Sequence, residues 1–132
     1  GFYVPENVYI LGTMNDIDRS VESMDFAIRR RFTWCEISAV DTQEEMLQLL
    51  DKSIREKAKK SMNALNDAIL NPDYHLGAAY QIGASYFLKL QHDPNFDNLW
   101  KFHLKGVIYE YLRGQRDIDS KLEEIYNAFI AE

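Results

Sequence analysis

The sequence predicts a mainly α chain with a small α/β remnant at its beginning: two short strands around a compact helix, followed by a helical bundle. Three observations carry that expectation. Apolar residues recur at helical spacing from about residue 40 onward. Two runs near the start, Val8–Thr13 and Thr33–Ser38, are short, rich in β-branched and aromatic residues, and bounded by polar turns. The 132 residues, 46% hydrophobic and 13% aromatic, are enough to close one core.

Residues 1–39 form the first part. Pro5-Glu6-Asn7 is a turn, and "VYILGT" after it reads as a strand buried on both faces. "MDFAIRR" (Met24–Arg30) is a compact helix, and "TWCEIS" a second strand holding the single cysteine, Cys35, which is expected to be buried. Two strands do not make a stable parallel sheet. Neighbouring strands are therefore expected from elsewhere, and a chain that opens "GFYVPENVYIL" reads as a piece cut from a longer protein.

Residues 40–132 read as helices. Asp41-Thr42 opens one, with Thr42 and Glu45 at capping-box spacing and Met46, Leu47, Leu49, Leu50 and Ile54 on its apolar face. "KSIREKAKK" reads as a solvated helix face. Met62, Leu65 and Ile69 continue the apolar spacing until Asn71-Pro72 stops it. "DYHLGAAYQIGASYFLKL" is a glycine-punctuated loop entering a helix near Ser85. "FDNLWKFHLKGVIYEYLRG" is a long helix closed by Gly114. The last helix carries Ile118, Leu122, Ile125, Tyr126, Phe129 and Ile130 as one stripe.

Composition excludes several classes. A formal net charge of −6 and a pI near 5.1 argue against a general nucleic-acid surface. One cysteine permits no internal disulfide, which fits a reducing, cytoplasmic compartment. No apolar run reaches membrane-spanning length. His75, His92 and His103 lack ligand-like clustering, so no metal site is assigned.

The chemistry concentrates in "GTMNDIDRSVESMDFAIRRRF" (Gly12–Phe32). Asn15 follows the first strand at its carboxyl end, where open α/β sheets bind ligands. Its amide can orient a water by donating one hydrogen bond and accepting another. Asp18, Arg19 and Asp25 with Arg29, Arg30 and Arg31 form an acid–arginine network. On spacing alone, the same residues also fit an ordinary turn, a helix N-terminal charge and surface ion pairs.

The ordered set Gly12-Thr13-Met14-Asn15, Asp18-Arg19-Ser20 and Asp25-Phe26-Ala27-Ile28-Arg29-Arg30-Arg31-Phe32 resembles the second half of an AAA+ nucleotide-hydrolysing motor domain. It is most similar to the McrB family, the motor subunits of modification-dependent, 5-methylcytosine-specific restriction systems. "YQIGASYF" (Tyr80–Phe87) resembles the family's F-x-I-G-x-S-Y-F segment, with Ala84 where relatives often carry His or Pro. Together the two blocks cover roughly a quarter of the chain.

The resemblance implies that residues 1–39 are the end of the AAA+ core and residues 40–132 its helical lid. Asn15 is then the sensor-1 residue, and Arg31, with Arg30, the arginine finger acting in trans. Asp18, Arg19 and Asp25 brace the subunit interface, and Gly83, Ser85 and Tyr86 face the nucleotide from the lid. No sensor-2 arginine lies between Asp73 and Leu90. The family further implies GTP or ATP with Mg2+, a hexameric ring, a nuclease subunit, and DNA engaged through other domains, with no membrane.

The sequence contains no G-x-x-x-x-G-K-[ST] and no acidic Walker-B strand. The 132 residues alone are therefore expected to bind no cofactor and to be inactive. Two alternatives stay open at this level. MoxR-like AAA+ ATPases, which remodel protein complexes, share arginine-rich R-x-R-F segments. A non-catalytic helical interaction module would explain the bundle and the acidity, though not Asn15 or the triplet.

Overall fold

Buried residues along Lys52–Ile69 (α3) fall at Ala58, Ser61, Met62, Leu65, Asn66 and Ile69, the three-and-four spacing of one helix face. The computed structural model describes residues 1, 3–15, 17 and 26–131 and divides into two units, Gly1–Trp34 and Cys35–Glu132.

In the first unit, α1 spans Phe26–Arg29. The described residues of the whole chain include no strand. Val8–Thr13 and Thr33–Ser38, expected as strands, have no ladder partner. The physical reason is the one their shortness implies: a strand exists only as one side of a hydrogen-bonded pair. Tyr9 is 94% and Leu11 95% exposed, so that apolar run is uncovered in this chain.

The second unit is helical. Ahead of α3 lies α2, Gln43–Leu47. The expected helix from Thr42 through Ile54 is thus two helices, broken at residues 48–51. The Thr42–Glu45 capping box does not form. Thr42 has φ −105° and ψ 2°, away from the extended region that aims an N-cap oxygen at its helix, and it makes no cap bond. Asp41 closes the turn instead. Its Oδ2 accepts from the Ser38 amide at 2.7 Å and the Ser38 hydroxyl at 2.8 Å, which holds the carboxyl below its ordinary range.

Arg55 departs from the solvated face expected of its basic stretch. Its guanidinium turns inward and donates to the carbonyls of Gln48 at 2.7 Å and Leu50 at 2.9 Å. Those carbonyls follow the end of α2 and need external donors. Lys59 pairs with Glu44 across the same two helices. Cys35, expected to be buried, is exposed, and the run Thr33–Ser38 that holds it has no ladder partner among the described residues.

The helix expected near Ser85 forms over Ala84–Gln91 and is wound as a 3₁₀ helix. Its buried residues explain the tighter winding. Ala84, Phe87 and Leu90 recur every three, the repeat of a 3₁₀ turn. The long helix that follows runs as α4 (Phe96–Leu99), a π turn (Trp100–Leu104) and α5 (Lys105–Leu112). Trp100, Leu104, Ile108 and Leu112 are all buried at strict four-residue steps, which drift around an α-helix. The wider π turn lowers the advance per residue and keeps all four facing inward. Gly114 closes the helix at φ +87°, a left-handed conformation that favours glycine.

The last helix, α6 (Ile118–Ile130), packs on α3 and α5 and buries Leu122, Ile125 and Phe129. Tyr74 is buried beside it. Its hydroxyl donates to Glu124 Oε2 at 2.6 Å, and its carbonyl accepts from Gln115 Nε2 at 2.6 Å. Burial first, and then the bond to Glu124, push the phenol up to about 12.

A pH dependence follows. An unfolded tyrosine ionises near 10, so above that pH the unfolded chain gives up a proton that folded Tyr74 keeps. Stability from this group is intact below pH 10 and is lost as pH rises from about 10 to about 12. Urea midpoints measured across that range are expected to fall less steeply in Tyr74→Phe; equal slopes in both proteins would refute the assignment.

Candidate functional site

The residues singled out in the sequence fall in both units, and each unit is described on its own. In the first, Asn15 is exposed, and its Oδ1 accepts from the Ile17 amide at 3.3 Å. This is the turn an Asn side chain makes two residues ahead of itself. Asp18, Arg19 and Asp25 lie outside the described residues.

The arginine triplet ends α1. The Arg30 amide donates to Phe26 O at 3.2 Å and the Arg31 amide to Ile28 O at 3.0 Å. The Trp34 indole N–H caps the carbonyl of Arg29 at 2.8 Å. The backbone of the triplet is thus tied to the helix, while all three side chains are exposed. Arg29 and Arg30 line a hollow of about 420 Å³ with Met14, Phe26 and Trp34; Arg31 lies outside that lining. The hollow thus brings two arginine side chains and two aromatic side chains into one lining.

In the second unit, Gly83, Ser85 and Tyr86 lie where the loop after α3 enters the 3₁₀ helix Ala84–Gln91. Gly83 has φ −77° and ψ 160°, extended backbone open to any residue. A Cβ built there meets nothing within 4 Å. Neither conformation nor packing in this chain requires glycine, and the bare backbone stands open. Ser85 is exposed and Tyr86 half-buried. Tyr80 meets Tyr111 edge-to-face at 5.0 Å. The Tyr111 phenol is pushed up by burial and then by the neighbouring phenols of Tyr86 and Tyr80. A cluster of three tyrosines therefore borders the loop.

Sequence reasoning missed the residue that fixes this loop. Asn66 of α3 is buried, donates from Nδ2 to Ile82 O at 3.0 Å, and accepts from the Ile82 amide on Oδ1 at 2.7 Å. A signal was present: Asn66 is a polar residue inside the apolar stripe Met62, Leu65, Ile69. Among the described residues, no group of His, Cys, Asp and Glu could hold a metal ion. No helix among them is long and apolar enough to cross a membrane.

Residues 57–119 match the family model for the McrB alpha-helical lid domain. The chain is also 45% identical over 91 residues to the type IV methyl-directed restriction enzyme EcoKMcrB subunit of Escherichia coli K12. That alignment covers 65% of this chain and 20% of the relative, so the chain spans about a fifth of the relative's length. No solved structure matches the chain.

Proposed function

Because the chain is McrB-like, with residues 57–119 matching the family's alpha-helical lid, we propose that it serves the motor of a modification-dependent restriction system. Residues 1–39 supply the end of an AAA+ core and residues 40–132 its lid. The lid match carries this reading, and the two motif blocks, in family order on either side of its start, support it.

In this reading Asn15 orients the attacking water, and Arg31, with Arg30, stabilises charge developing on nucleotide in the adjacent subunit. Asp18, Arg19 and Asp25 brace that interface. Gly83, Ser85 and Tyr86 face the nucleotide, and the bare, unobstructed backbone at Gly83 fits close approach by a ligand. The phosphate loop and the Mg2+ ligands come from a part of the motor outside this sequence, which has no Gly-Lys-Ser/Thr. The nucleotide is GTP, the assembly a hexameric ring with a nuclease subunit in the cytoplasm, and DNA is engaged by other domains.

Nucleotide preference in the full-length protein tests the proposal. GTP turnover is expected to exceed ATP turnover by about tenfold or more, a difference of roughly 1.4 kcal/mol in transition-state binding. Equal turnover of the two would move the chain to another class of AAA+ motor.

A further inference from the structure

The loop that carries Gly83, Ser85 and Tyr86 is held by a side chain whose hydrogen bonds go to the residue just before them, Ile82. Ile82 lies between two 3₁₀ turns, Ala78–Tyr80 and Ala84–Gln91, with extended residues on each side: Gln81 at φ −63°, ψ 144° and Gly83 at φ −77°, ψ 160°. Extended backbone normally has its amide and carbonyl satisfied by a neighbouring strand. Here one primary amide does it, taking both polar groups of Ile82 from sixteen residues earlier in the chain.

Asn66 is 3% exposed and Ile82 1% exposed, so water does not substitute for this pairing. The Ile82 side chain is anchored in the core and its peptide groups are clamped by α3. Position and direction of the chain are therefore set one residue before Gly83. An apolar residue at this position, as at Met62, Leu65 and Ile69, would fill the stripe but leave the buried Ile82 amide and carbonyl without partners.

We infer that Asn66 is the positioning residue of the nucleotide-facing loop, presenting Gly83, Ser85 and Tyr86 from a fixed point on the rigid helix α3. The inference rests on the lid reading above. It assigns Asn66 no contact with nucleotide; its effect passes through the Ile82 backbone.

The test uses the full-length protein with three readouts: KM and kcat for GTP, thermal melting, and amide hydrogen exchange without nucleotide. Asn66→Asp keeps size and the acceptor but removes the donor to Ile82 O. It is expected to raise KM about tenfold with kcat within about twofold. Exchange at residues 82–86 is expected to speed up while α6 amides stay protected. Asn66→Ser is measured alongside, in case the buried carboxylate unfolds the lid. Ile125→Ala on α6 supplies comparable destabilisation away from the loop.

If Asn66→Asp and Asn66→Ser keep the wild-type KM while Ser85→Ala raises it, the inference falls and the lid reading stands. If Ser85→Ala and Tyr86→Ala also keep the wild-type KM, the lid reading itself falls and takes the inference with it. If Ile125→Ala raises KM as much as Asn66→Asp, the effect is general loosening and the inference is overturned.

Discussion

Arg31→Ala in the full-length protein is expected to cut GTP turnover by ~10³-fold or more while leaving the fold intact. Two features set the size of that effect. A guanidinium that meets transition-state charge has no substitute once truncated to a methyl group, because water filling the space is neither charged nor fixed. The Arg31 side chain is exposed, while its backbone amide is held by Ile28 O, so truncation removes no packing and leaves the turn in place.

Mixing experiments separate action in trans from action in cis. Asn15 and Arg31 act on different nucleotides if the finger reaches the neighbouring subunit. A subunit carrying Arg31→Ala keeps a complete sensor, and one carrying Asn15→Ala keeps a complete finger. In rings assembled from equal amounts of the two inactive proteins, on the order of a quarter of the head-to-tail interfaces pair both intact parts. Activity is expected to return in the mixture. A mixture as inactive as its components would place both residues at the same nucleotide, and an Arg31→Ala protein with normal turnover would remove the arginine from the site.

Helices were legible in the sequence where one face alone decides them. The stripe through Met62, Leu65 and Ile69 and that through Leu122, Ile125 and Phe129 are buried as their spacing implies, and Gly114 ends its helix at a positive φ. Winding was less legible. The repeats of three at Ala84, Phe87 and Leu90, and of four from Trp100 to Leu112, are in the sequence, but apolar residues at those steps also suit an ordinary helix until packing selects among them. Pairing was not legible at all. Whether Val8–Thr13 forms a strand depends on a partner, and spacing does not name one. The Asn66–Ile82 clamp and the Arg55 cap join residues whose separation follows no periodicity, so only the folded chain brings them together. The candidate site residues were read in another way: Asn15, Arg31 and the segment Gly83–Tyr86 were singled out by order and type within short motifs, and their roles stand as proposals.

The largest expected stability effect is Phe129→Ala. Phe129 is fully buried, and three aromatic rings from earlier in the chain converge on it: Phe87 at 6.2 Å, Phe96 at 6.1 Å and Trp100, stacked, at 5.8 Å. These rings belong to the 3₁₀ helix Ala84–Gln91, to α4 and to the π turn, so a single side chain of α6 joins three separate elements. Truncation leaves a cavity that rigid aromatic neighbours fill poorly, which costs about 3–5 kcal/mol. For a domain of this size that lowers the melting temperature by more than about 10 °C. Phe129→Leu, which retains most of the volume, is expected to cost markedly less. The consequence extends to the lid loop, because Phe87 anchors the helix that begins at Ala84. Amide exchange at Ala84–Phe87 is expected to accelerate in Phe129→Ala even below its melting transition, whereas Asn66→Asp acts from Ile82 onward with the aromatic cluster intact. Melting within about 2 °C of wild type would show that the cluster is not what closes this core.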